Sequence, residues 1–153
     1  MKKVTKLFAI RCFVNTVLGE QIIIAKKREE DNNMAMYVNG KQPRLSLSKN
    51  LDHSSDYREK IFRADFVDRC PMAQGFANIT LSLLHECGHW ATRSVLSGWV
   101  YIRQCEKAEN MYDYLNIPYE HLATDWAIAW LQNPDNRRLA KFFERLFFDY
   151  DIE

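Results

Sequence analysis

The stretch FANITLSLLHECGHW, residues 76–90, is the part of this sequence that decides the fold. Its apolar residues recur every three or four positions, which is typical of one face of an amphipathic helix. The positions on that face are Phe76, Ile79, Leu83, Cys87 and Trp90. The periodicity predicts a helix over residues 72–96, and this helix carries the most informative motif of the chain.

Residues 85–89 read His-Glu-Cys-Gly-His, which is the pattern HExxH. Because positions i and i+4 lie one turn apart on the same helix face, His85 and His89 can direct imidazole nitrogens at one metal ion. Glu86 is expected to act as the general base toward a metal-activated water. Cys87 lies about 200° around the helix axis from each histidine, so we expect it to face the core.

A third metal ligand is predicted at Glu120, which begins the segment EHLATDWAIAWLQNP. A catalytic zinc ion needs three protein ligands and an open fourth position. Ala123 and Ala127 follow Glu120 on about the same helix face, so this helix can approach the HExxH helix closely. The competing donors are His121, about 100° from the Glu120 face, and Asp125, which could instead orient a ligand histidine. The predicted cofactor is one Zn²⁺ ion per chain.

Three tyrosines, Tyr112, Tyr114 and Tyr119, precede Glu120. Any of them could donate a hydrogen bond to the oxyanion of a tetrahedral intermediate. Packing in the core or at the rim of a site is an alternative use of each side chain. The sequence does not choose among the three.

The first half of the chain predicts a small antiparallel sheet. Residues 21–27 are apolar and β-branched, as expected of a strand. Residues 34–49 contain two short alternating stretches around Asn39-Gly40, a common hairpin signal. Residues 50–60 are polar and are interpreted as a loop in which a helix could start.

Two more helices are predicted after the motif. One begins near residues 116–118, where Pro118 fits a first turn, and ends at Gln132 before Pro134. The other covers residues 137–150 and presents one apolar stripe for packing. The predicted fold class is α+β: a small antiparallel sheet, an active-site helix, a glutamate-ligand helix and a C-terminal packing helix, in one domain of 153 residues.

The second half resembles the ImmA/IrrE-like metallopeptidases, in which HExxH is followed by a ligand glutamate that opens the pattern ExxAxxFAxxLL, with a proline soon after. The matching positions here are Glu120, Ala123, Trp126, Ala127, Trp130, Leu131 and Pro134. Trp90 directly after the motif is similar to the HW of ArdC-type antirestriction metallopeptidase domains. The match covers about residues 76–134, and it departs at Cys87, often aliphatic in the family, and at Thr124, commonly asparagine.

The resemblance implies a zincin-like fold and a zinc metallopeptidase of the gluzincin type, which has HExxH plus a ligand glutamate. The implied substrate is a specific intracellular protein, such as a repressor encoded by a phage or a mobile element. Two alternatives stay open. One is a zinc-binding regulatory or antirestriction protein that acts by binding a partner without turnover, and the other is a metal-free helical interaction domain.

The charge of the chain favours no particular class of partner. Lys and Arg total 21 against 20 for Asp and Glu, so no net field attracts nucleic acid or an anionic membrane. Direct nucleic-acid binding is therefore not expected. The longest apolar run, residues 126–131, has six residues, far fewer than the roughly 20 needed to span a bilayer. The oligomeric state is not predicted.

The cysteines and the first residues favour a cytoplasmic protein. Arg11 interrupts the early apolar stretch, so no signal peptide is expected. The four cysteines lack the paired spacing of a zinc site and the density of a disulfide scaffold. They are Cys12, Cys70, Cys87 and Cys105, and we expect all of them to be reduced thiols.

Overall fold

Helices dominate the computed structural model, which describes residues 5–26, 34–47, 57–95 and 106–149. These residues form six α-helices, one 3-10 helix and three strands. In chain order the elements are α1 (Lys6–Leu18), β1 (Ile23–Lys26), β2 (Ala35–Tyr37), β3 (Arg44–Leu47), α2 (Tyr57–Arg69), the 3-10 helix (Pro71–Gly75), α3 (Asn78–Ala91), α4 (Met111–Asn116), α5 (Pro118–Leu131) and α6 (Pro134–Asp149). The α+β class is confirmed.

Helix α1 was not predicted, although both of its ends carry sequence signals. The hydroxyl of Thr5 accepts a hydrogen bond from the Phe8 N–H at 3.1 Å, as an N-cap does. Gly19 ends the helix in the left-handed conformation, with φ 67°, and its N–H reaches the Asn15 carbonyl at 2.9 Å. The buried face is Ala9, Ile10, Phe13 and Val14. Helix α1 therefore contributes to the core before the sheet begins.

The sheet is mixed, so the prediction of a purely antiparallel sheet was wrong. The strand order is β1-β3-β2, with β2 antiparallel to β3 and β1 parallel to it. Asn39-Gly40 lies in the connection between β2 and β3, as the hairpin signal predicts. The apolar alternation of a strand does not encode the direction of its neighbour, which explains the error at β1. Strand β2 lies at an edge of the sheet.

The motif helix is shorter than predicted at both ends, since α3 ends at Ala91 and residues 92–95 form turns. Residues 71–75 form the 3-10 helix and Phe76 is extended, with φ −117° and ψ 149°, so α3 begins only at Asn78. Helix α2 includes residues 57–60 of the predicted loop, while residues 50–56 lie outside the described part of the chain. Cys105 and Tyr150 also lie outside it.

The two later helices are confirmed to within three residues at each end. Helix α5 covers Pro118–Leu131, and Pro134 begins α6 directly after it. The proline that ends one helix thus starts the next, because its fixed φ suits a first turn. Within the described ranges, no helix combines the length and the apolar content that crossing a bilayer requires.

Helices α3 and α5 pack so closely that their backbones touch at Gly88. A Cβ atom on Gly88 would lie 2.9 Å from the Cα atom of Ala123. The prediction that a small residue at position 123 allows a close approach is confirmed. Cys87 is fully buried in the core, also as predicted.

The first turn of α3 is capped by a side chain from the C-terminal helix. Ala77 precedes the helix and supplies no side-chain cap. Instead, the Glu144 carboxylate accepts hydrogen bonds from the Ala77 N–H and the Thr80 hydroxyl, both at 2.6 Å. A carboxylate at a helix N-terminus also interacts favourably with the helix dipole. Helix α6 therefore helps to anchor the start of the motif helix.

Candidate metal centre

His85, His89 and Glu120 meet in the interior between α3 and α5. Their residues are 7%, 5% and 2% exposed, respectively. Glu120 Oε2 lies 2.9 Å from His85 Nε2 and 2.7 Å from His89 Nε2. A carboxylate oxygen can only accept, so each imidazole nitrogen donates to it in this arrangement. The three residues predicted as metal ligands are thus brought together.

The three side chains fit a metal ion in donor chemistry and in spacing. One ligand atom from each lies within 4.8 Å of the others. Ligand atoms at tetrahedral zinc lie about 3.3 Å apart, as follows from bond lengths of about 2.0–2.1 Å. The separations between the imidazole nitrogens and Oε2 are only a few tenths of an ångström shorter. This buried group could therefore hold a metal ion.

The two histidines are oriented by different neighbours. The Thr124 hydroxyl lies 2.9 Å from His85 Nδ1 in a buried contact. The ring of Tyr119 stacks on the His89 ring, with centroids 4.4 Å apart and planes 20° apart. His89 Nδ1 is buried and has no hydrogen-bond partner within the described part of the chain. The Thr124 hydroxyl thus orients the His85 ring, and stacking on Tyr119 orients the His89 ring.

Asp125 does not take the predicted place beside a ligand histidine. Its carboxylate contacts the Arg69 guanidinium and, at 3.5 Å, His121 Nε2. Thr124, which the sequence analysis noted only as a departure from the family pattern, is the residue at His85. The helix period explains the difference, because Thr124 lies one turn after Glu120 whereas Asp125 points about 140° away. His121, the other competing donor, belongs to this separate cluster.

The carboxylate of Glu86 lies at the boundary between the metal-ligand group and the sheet edge. Its Oε2 accepts a hydrogen bond from the Met36 N–H of strand β2 at 2.9 Å. Removal from bulk water raises the pKa of Glu86, and the nearby His89 and His85 offset this increase only in part. The carboxyl group therefore exchanges a proton closer to neutral pH than an exposed glutamate does.

Burial and neighbouring charges shift the pKa values of the ligands in opposite directions. Burial alone would raise the pKa of Glu120, but the hydrogen bonds from His85 and His89 hold that pKa well below its usual range. Burial alone would lower the pKa of His89, but the hydrogen bond to Glu120 and the negative charges raise it. Burial also raises the pKa of the Cys87 thiol, so this thiol stays protonated. The group thus contains a stable anion beside a readily protonated histidine.

The three tyrosines proposed as oxyanion donors occupy different places. Tyr112 is 61% exposed. Tyr119 stacks on His89, as described above. The hydroxyl of Tyr114 donates to Glu120 Oε1 at 2.5 Å, and Tyr114 also lines the adjacent cavity. Tyr114 therefore contacts a predicted ligand through a hydrogen bond.

A cavity of about 550 Å³ opens beside the metal-ligand group. Its walls come from β2 and the residue before it, from α2, α3 and α4, from the segment that leads into α4, and from Glu120 of α5. Glu86 and His85 line it together with apolar side chains such as Phe62 and Met111. This volume is within the usual range for ligand pockets, about 300–1,000 Å³. The predicted site residues therefore border a space that could admit a substrate.

Comparisons with known proteins do not assign the chain to a family. The sequence matches no protein-family model, and neither a curated protein nor a solved structure is significantly similar to it. The activity of this site is therefore inferred from its own residues.

Proposed function

We propose that this protein is a zinc-dependent metallopeptidase. The observation that carries the proposal is the convergence of two imidazole nitrogens on Glu120 Oε2, with the Glu86 carboxylate beside them at the cavity wall. Two histidines and one carboxylate form a donor set that catalytic zinc uses, and they leave the fourth position open. A buried group built only for stability would not need to border a cavity of this size.

The residues of the chain have distinct tasks in this proposal. A zinc ion held by His85, His89 and Glu120 would supply Lewis acidity, lowering the pKa of water to about 7 and polarising a carbonyl group. Glu86 accepts a proton from the attacking water and delivers it to the leaving amine. Glu86 lines the cavity beside the ligand group, where both transfers would take place.

The edge of the sheet supports a peptide as the substrate. Strand β2 lies at the edge of the sheet, and Ala35 from this strand and Met34 before it line the cavity. A strand edge can bind an extended peptide through backbone hydrogen bonds. The Met36 N–H already donates to Glu86, so a peptide would pair with the neighbouring backbone groups of β2 and lie beside Glu86.

The substrate is proposed from the family resemblance and the compartment from the cysteines. The resemblance to ImmA/IrrE-like enzymes supports a specific regulatory protein, such as a phage or mobile-element repressor, as the target. The three cysteines in the described ranges are unpaired, which supports a reducing compartment such as the cytoplasm.

A second candidate is a zinc-binding regulatory protein that binds a partner without hydrolysing it. The hydrogen bond from the Met36 N–H to Glu86 Oε2 favours this alternative, because it gives Glu86 a structural role that needs no turnover. The same bond suggests the test. In Glu86→Gln the amide oxygen can still accept that hydrogen bond, but the side chain can no longer take up a proton.

Hydrolysis is tested by incubating the zinc-loaded protein with a peptide library and identifying new chain ends by mass spectrometry. We expect cleavage at few sites, its loss in Glu86→Gln with zinc content and fold retained, and its persistence in Glu106→Gln, a change at an exposed glutamate. Cleavage that survives Glu86→Gln would contradict the assigned mechanism. A biological effect that survives this substitution, with no cleavage by either protein, would favour the partner-binding candidate.

A further inference from the structure

The two oxygens of the Glu120 carboxylate have different surroundings. Oε2 faces the Nε2 atoms of His85 and His89 at 2.9 and 2.7 Å. Oε1 accepts a hydrogen bond of 2.5 Å from the Tyr114 hydroxyl. Bonds of this length between a hydroxyl and a carboxylate are among the stronger hydrogen bonds in proteins. One oxygen is thus directed at the metal-ligand group and the other is held by a phenol.

The backbone between Tyr114 and Glu120 fixes the position of one residue relative to the other. Helix α4 is capped by the Asn110 side chain, which accepts from the Asp113 N–H at 2.9 Å. Ile117 ends α4 in an extended conformation, with φ −64° and ψ 141°, and also precedes α5. A single residue therefore sets the angle between the helix that carries Tyr114 and the helix that carries Glu120.

Packing against the core holds the connection between α4 and α5. Leu115 near the end of α4 and Ile117 after it are buried, so this end of α4 is anchored to the core. The Tyr114 ring is half-buried at the wall of the cavity. Neither helix can rotate without exposing these apolar side chains, which keeps the hydroxyl beside Oε1.

We propose that Tyr114 is a positioning residue that makes Glu120 bind the metal ion through Oε2 alone. This inference rests on the proposed zinc site. A carboxylate can bind a cation through one oxygen or through both. A second oxygen on the ion would take the position that must stay open for catalysis. By holding Oε1, the Tyr114 hydroxyl keeps that position available.

The test uses the whole chain loaded with Co²⁺, whose visible absorption is strong with four ligands and weak with five. In Tyr114→Phe we expect weaker absorption than in the wild type. We also expect zinc affinity, measured by competition with a chelator, to change by about 10- to 100-fold, the usual effect of losing a residue that orients a ligand. The change in absorption is the decisive readout, because a purely structural role would not alter the number of ligands.

Tyr112→Phe serves as the matched control, because it removes a hydroxyl from the same helix at an exposed position. This variant should keep the cobalt spectrum of the wild type. A change in this control as large as that of Tyr114→Phe would overturn the assignment to Tyr114.

The remaining outcomes are also distinguishable. If Tyr114→Phe keeps the wild-type spectrum, the positioning role is wrong while the proposed metal site stands. If the wild type binds neither cobalt nor zinc, both the site and this inference fail. If Tyr114→Phe does not fold, a crystal structure of the zinc-loaded wild type decides: Oε2 alone on the metal supports the inference, and both oxygens on the metal refute it.

Discussion

Replacing Gly88 by alanine perturbs the contact on which the geometry of the metal centre depends. Gly88 lies between the two histidines on α3, and Ala123 lies one turn after Glu120 on α5. The new Cβ atom would lie 2.9 Å from both the Cα and the carbonyl carbon of Ala123, and closer still to its oxygen. These are backbone atoms, so a change of side-chain rotamer cannot relieve the clash.

The size of the effect follows from these distances. Carbon atoms in ordinary contact are about 3.5–4.0 Å apart, so α3 and α5 must separate by roughly 0.6–1 Å. Overpacking of this kind costs about 1–3 kcal/mol, and the better helix propensity of alanine returns about 1 kcal/mol. Because the clash is with backbone atoms, we take the upper end of the overpacking cost. We therefore expect the free energy of unfolding to fall by about 2 kcal/mol. For a chain of this size that loss lowers Tm by roughly 4–8 °C.

The same separation should weaken metal binding more than it weakens the fold. Metal sites tolerate ligand displacements of only about 0.2 Å, and Glu120 moves with α5. Thermal unfolding and chelator competition measure the two effects. Gly75→Ala is the control, since a Cβ atom there meets nothing within 4 Å. If Gly88→Ala keeps the stability and the zinc affinity of the wild type, the close packing of α3 and α5 is refuted.

Three further predictions concern the neighbours of the ligands. Thr124→Val removes the hydroxyl at His85 and should weaken zinc binding by about 10- to 100-fold in chelator competition; unchanged affinity would contradict the role of Thr124. Glu144→Ala removes the cap at Ala77 and should cost about 1–2 kcal/mol in thermal unfolding, and an unchanged Tm would argue against the cap. Because the pKa of His89 is raised, its ring in the metal-free protein should lose its proton above pH 6.5 in an NMR titration. Loss of this proton below pH 6.5 would contradict the stabilisation of the charged ring by Glu120.

The helices of the second half were predictable because their apolar residues repeat with the helical period. Prolines marked the start of α5 and the boundary with α6, as they do in many helices. Helix α1 was not predicted even though Thr5 and Gly19 cap it, since its early apolar stretch is short and is interrupted by Arg11. The parallel pairing of β1 could not be predicted, because it depends on how the chain crosses the sheet.

The metal ligands were predictable because their spacing along a helix determines where their side chains point. His85 and His89 share a face through the i, i+4 relation, and Glu120 lies in the first turn of a helix that has small residues on the same face. The partners of the ligands were not predictable in the same way. The contact of Glu86 with strand β2 and that of Tyr114 with Glu120 depend on how elements distant in sequence, or joined at a specific angle, pack together.

His85, His89 and Glu120 form a group that could hold one metal ion. The most direct test is the zinc content of the protein purified without added metal, compared with a His85→Ala, Glu120→Ala double variant whose fold is checked by circular dichroism. We predict about one zinc ion per wild-type chain, as expected for a site with three protein ligands, and none in the folded double variant. A well-folded wild type that holds no zinc, even after zinc is added, would contradict the assignment of these three residues as metal ligands.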